Sequence, residues 1–79
     1  MKEVKVASYK EVGFNYSVCE EIFENGTGKD VEGRLLDVEL LTIMFEDRLE
    51  WEKNELMKKN IKRMVNNISK LDDDVLVEF

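Results

Sequence analysis

The sequence predicts an α+β fold: a small sheet from strands at the two termini, with a predominantly helical body between them. Residues 2–9 and 75–79 alternate apolar and polar positions in the period-two manner of strands. From Asp30 to Leu71 there is no proline, the only glycine is Gly33, and apolar residues recur every three or four positions. With 79 residues, the chain is expected to form a single domain over 1–79. A chain of this length buries only about 60% of its unfolded surface, so its core is small.

The first strand comes from KEVKVASY, with Val4 and Val6 on one side and Lys5, Ala7 and Tyr9 on the other. Gly13 punctuates it. Residues 12–18 can be read two ways. Val12, Phe14, Tyr16 and Val18 alternate as a second strand would, whereas Ser17 and Glu20 have the spacing of a capping box. The second reading gives a short helix over about 18–25, stopped at Asn25-Gly26.

NGTGKD follows at 25–30, and its Gly-Lys pair invites comparison with a phosphate-binding loop. Such a loop needs a glycine five residues before the second one and a hydroxyl after the lysine. Here Phe23 and Asp30 occupy those positions, so the segment reads as a connector.

Asp30 is the expected N-cap of the helical body, which spans 31–71 as one very long helix or a helical hairpin. Its first half has two apolar arcs. Leu36, Leu40, Ile43, Met44 and Trp51 form one; Leu35, Val38, Leu41, Phe45 and Leu49 form the other. A helix apolar on both sides is expected to be sandwiched. Phe45 and Trp51 read first as core, and Trp51, bordered by Glu50 and Glu52, also reads as an interface anchor. The second half keeps one arc. Met57, Ile61, Met64, Ile68 and Leu71 have the 4-3-4-3 spacing of a coiled-coil seam, which predicts self-association if the helix is continuous. One helix over 31–71 would be roughly 60 Å long, against an expected radius of gyration of about 12 Å for a compact monomer. Glu52–Asn54 contains no strong breaker, so local chemistry favours continuity. Asp72, Asp73 and Asp74 oppose the helix macrodipole and should end the helix by Leu71.

Composition then limits function. The chain has no histidine and one cysteine, Cys19, so the usual ligands of zinc, haem and iron–sulfur sites are missing. No internal disulfide is possible, no apolar run spans a bilayer, and a cytoplasmic setting is expected. Without a usual base or nucleophile pair, no enzyme, metal or cofactor is expected; Cys19 reads as a buried structural thiol.

The net charge of −6 is unevenly spread. Residues 1–52 carry 13 acids against 6 bases, residues 53–71 carry 1 acid against 6 bases, and residues 72–79 carry 4 acids and no base. Glu20, Glu21 and Glu24 form one acidic cluster and Asp72, Asp73 and Asp74 another. Each reads as a solvated surface or as a set of charges imitating the phosphates of nucleic acid before a partner's cationic groove. Lys58, Lys59, Lys62, Arg63 and Lys70 line the far side of the second half, as a solvated face, a protein contact or a phosphate contact.

The function expected from this is stoichiometric binding of a partner protein through Trp51 and the neighbouring charges. The chain resembles phage-encoded inhibitors of host defence nucleases in size, acidity and composition, which implies a small inhibitor or adaptor of phage or mobile-element type. The alternative is a dimeric nucleic-acid-binding regulator using the basic helix at 53–70.

Overall fold

The computed structural model describes residues 3–27 and 31–79, and the side chains of residues 24–27 lie outside that description. Strand β1 (Lys5–Ser8) leads through a turn to helix α1 (Tyr16–Thr27). Strand β2 (Leu35–Asp37) runs directly into helix α2 (Val38–Trp51), followed by helix α3 (Glu55–Ile68) and strand β3 (Val75–Glu78). The fold is α+β, with both terminal strands in one sheet.

Strand β3 is central. It pairs parallel with β1, Val6 opposite Leu76 and Ala7 opposite Val77, and antiparallel with β2, Leu36 opposite Val77. Val75 and Val77 face the helices and are buried. They join Phe14, Phe23, Leu41, Phe45, Ile61, Met64, Ile68 and Phe79 in one core. Phe14 and Phe23 each meet the Phe45 ring edge-on, at 5.4 and 6.5 Å between centroids. Phe79 stacks at 5.8 Å on Tyr9, tying the last residue to the turn after β1.

The residues between β1 and α1 form a turn and not a second strand. Phe14 donates its N–H to the Tyr9 carbonyl at 2.9 Å, and Gly13 adopts φ +78°. The positive φ disfavours larger residues here, and a Cβ on Gly13 would lie 2.7 Å from the Asn67 side-chain nitrogen, which would have to turn aside. The capping box expected at Ser17 is replaced by Asn15, whose Oδ1 accepts from the Val18 N–H at 3.2 Å. Helix α1 therefore starts earlier than 18.

The helical body expected from residue 31 starts seven residues late. Asp30, its proposed cap, lies outside the described residues, as do Gly28 and Lys29 of the connector. Gly33 takes φ +79° and donates to the Phe79 carbonyl at 2.7 Å, while Phe79 donates to the Arg34 carbonyl at 3.0 Å. The segment at 33–37 thus finds its backbone partners on β3, and Asp37 becomes the N-cap of α2, accepting from the Leu40 N–H.

The long helix breaks at residues 52–54, so the body is a hairpin. Glu52 is held out of helical geometry by Arg48, whose Nε donates to its Oε2 at 2.8 Å. The other carboxylate oxygen accepts from the Lys53 and Asn54 N–H groups, both at 3.0 Å. Asn54 then caps α3 by accepting from the Met57 N–H at 3.0 Å. Helix α3 ends at Ile68, before the three aspartates. Its expected seam lies against its own chain: Ile61, Met64 and Ile68 are buried in the core, and Met57 and Leu71 pack at its margin. The radius of gyration is 12.1 Å.

Candidate interaction surface

Helix α2 buries only one of its two apolar arcs. Val38, Leu41 and Phe45 face the core, with Leu49 half-buried. On the opposite arc Met44 and Leu36 pack half-buried against the core, but Leu40 is 40% exposed, Ile43 58% and Trp51 56%. This corrects both the sandwiched helix and the reading of Trp51 as core. Leu35, assigned to the inner arc, stands exposed on β2.

At 100° per residue, Glu46, Glu39, Glu50, Ile43, Asp47, Leu40 and Trp51 share an arc of roughly 140°. All seven are exposed, so the outward face of α2 interleaves three large apolar side chains with four acids. Its only basic residue, Arg48, is turned inward and buried at 7%.

Arg48 organises one end of this face. Its Nη2 donates to Glu21 Oε1 at 2.8 Å and its Nε to Glu52 at 2.8 Å, closing an ion-pair bridge from α1 to the 52–54 link. The guanidinium carbon also sits 4.3 Å from the centroid of the Trp51 ring. Two backbone N–H donors and Arg48 hold the Glu52 carboxyl below its usual range, the Asn54 N–H contributing most. Trp51 is therefore exposed yet held. Arg48 escaped the sequence reading because a lone arginine in an acidic helix reads as solvated. The acids at 39, 46, 47 and 50 were visible there in helical register, but carried no sign of which arc would be covered.

The acids singled out from the sequence are dispersed. Glu21 is engaged by Arg48, Glu20 is half-buried on α1, and the Glu24 side chain lies outside the described residues. Asp72 and Asp73 are exposed and Asp74 is half-buried. Asp73 lines a cleft of about 550 Å³ with Asp37, Glu39, Thr42 and Ile43, which prolongs the acidic face beyond the N-terminus of α2. Among the described residues, no three acids or cysteines converge as a metal ion would require. Cys19 is fully buried, with its Sγ 3.9 Å from Met64 Sδ, and burial pushes its thiol up to about 12.

Helix α3 carries the opposite charge. Lys59, Lys62 and Arg63 are exposed, while Lys58 is half-buried and pairs with Glu55 at 3.5 Å. The outward faces of the two packed helices are thus acidic with apolar insertions on α2, and basic and polar on α3. No described helix is long and apolar enough to cross a membrane. No protein-family model, curated protein or solved structure matches the chain.

Proposed function

We propose that the protein is a stoichiometric binding module whose outward α2 face docks on a partner protein with a basic surface, in the manner of a small inhibitor or adaptor. The observation carrying this reading is the exposure of Leu40, Ile43 and Trp51 on one helix face among Glu39, Glu46, Asp47 and Glu50. Solvated helix faces do not need three large apolar side chains, and tryptophan is among the residues that most often dominate interface energetics. Arg48 holds the Trp51 ring in advance, which lowers the entropy lost on docking.

Charge selects the kind of partner. Four acids and no outward base repel phosphate, so this face suits neither nucleic acid nor an anionic membrane surface. A second copy docked by a two-fold axis would set these acids against themselves. The outward face of α3 offers opposite charge but only Leu56 as an exposed apolar contact for Trp51 and Ile43. A basic surface with an apolar pocket on a different protein fits both properties. The outward half of α2 covers roughly 300 Å², short of the roughly 800 Å² each partner contributes to a standard interface. The contact accordingly extends to the Asp73 cleft at one end and to Leu56 at the other.

The test is affinity capture from nuclease-treated bacterial lysate with the wild type and an Ile43→Ala/Trp51→Ala variant, after circular dichroism has confirmed that both are folded. A protein retained near equal stoichiometry by the wild type and lost by the variant is the expected result. Equal retention by both would remove α2 as the docking face.

A further inference from the structure

A second surface, separate from the α2 face, has the opposite chemistry. The turn after β1 and the middle of α3 enclose a cleft of about 340 Å³, lined by Lys10, Gly13, Asn15, Asn60 and Arg63 over the apolar floor of Phe14 and Met64. Asn67 ties its walls together, donating from Nδ2 to the Gly13 carbonyl at 3.3 Å. The two cations come from different elements, and neither has a carboxylate within 4.0 Å among the described residues. Lys10 lies 5.9 Å from the Tyr9 ring centroid, and Arg63 spends one Nη2 hydrogen bond on Asn60 Oδ1 at 3.0 Å, leaving the rest of its donor fork unspent.

In a chain of net charge −6, Lys10 and Arg63 line one cleft whose other lining residues carry no charge. On α3, Lys62, Asn66, Lys59 and Arg63 share an arc of roughly 100° with Glu55, which pairs with Lys58 at 3.5 Å, so the cleft opens onto a row dominated by further cations and amides. Leu56 at its edge is the one large apolar residue exposed on this helix, in contrast to the three on α2.

We propose that the Lys10–Arg63 cleft holds a backbone phosphate of a nucleic acid whose strand continues over Lys59 and Lys62. Arginine supplies the forked donor set that matches phosphate oxygens, lysine supplies point charge, and neither reads sequence, so the binding is sequence-independent. The acids of α2 lie on the neighbouring helix and are screened over a Debye length of about 8 Å at physiological salt.

The experiment measures fluorescence anisotropy of a labelled DNA duplex of roughly 20 base pairs with the wild type, a Lys10→Gln/Arg63→Gln variant, and a Lys5→Gln/Lys53→Gln variant of identical net charge. About three phosphate contacts, one in the cleft and one each at Lys59 and Lys62, predict an affinity that falls roughly 40-fold between about 50 and 200 mM salt. Removing Lys10 and Arg63 should lower the log–log salt slope by about one unit, while the charge-matched control keeps the wild-type slope. Equal weakening by the two variants would reduce the effect to net charge and overturn the site. Absence of duplex binding at about 50 mM salt would also overturn it, and so would thermal stabilisation by pyrophosphate without duplex binding, which would reassign the cleft to a free phosphate ligand.

Discussion

Arg48 donates to Glu52 and Glu21 at 2.8 Å each and lies against the Trp51 ring, so one buried cation links α1, the end of α2 and the exposed α2 face. Its burial is acceptable because two carboxylates neutralise it, and Glu52 is in turn saturated by the Lys53 and Asn54 N–H groups. The Glu52 carboxyl therefore titrates below its ordinary value of 4.5 in the folded chain. The stability it contributes is complete above that ordinary value and is lost as the pH falls through the lower folded value. Thermal melts of wild type and Glu52→Gln should differ most near neutral pH and converge below about pH 4.5. A gap that stays constant from neutral to acid pH would show that the hydrogen-bond geometry, and not the carboxylate charge, carries the effect. None of this was legible in the sequence. The 48–52 spacing suggests only an ordinary surface pair, and the third member, Glu21, is 27 residues away.

At the scale of elements, what was legible follows from how local each signal is. Helix α3 and the terminal strands carry their own periodicity, and the aspartates at 72–74 mark where α3 must already have ended. Strand β2 is only three residues long, lies in a helix-forming stretch and owes its conformation to β3, 40 residues on, so no local window contains its cause. The break at 52–54, one of the two outcomes the sequence left open, was locally disfavoured because it uses neither glycine nor proline, only a carboxylate turned back on the next two N–H groups. Which arc of α2 is covered likewise depends on tertiary packing, and that assignment gives a sharp contrast. Leu41→Ala should cost about 3 kcal/mol, because the residue is fully buried with the core closed around it. Leu40→Ala, one residue earlier on the open arc, should stay within about 0.5 kcal/mol. Urea unfolding midpoints measure both, and a large loss at Leu40 would mean that this arc is covered after all.

At the scale of the molecule, the described residues leave apolar surface open on the α2 face and on the outer side of the sheet, where Val4, Val6 and Leu35 are exposed. The seam of α3, expected to meet a second copy, is already occupied by its own core, and the radius of gyration of 12.1 Å matches the roughly 12 Å expected for a compact monomer. Like charge would oppose a second copy on the α2 face. Exposed acids cover the α2 face, and the chain as a whole carries −6, so apposing two copies there brings like charges together as the apolar residues meet. Salt tests this directly, because raising it from about 0.1 to 1 M shortens the Debye length from about 10 to 3 Å and leaves hydrophobic contact in place. Light scattering coupled to gel filtration should give 9.3 kDa at about 0.1 M salt. Any rise in mass should appear only toward about 1 M, and Ile43→Ala/Trp51→Ala should abolish it. A dimer already present at low salt would show that the acids do not govern this face, and the choice of a basic partner for it would fall with them.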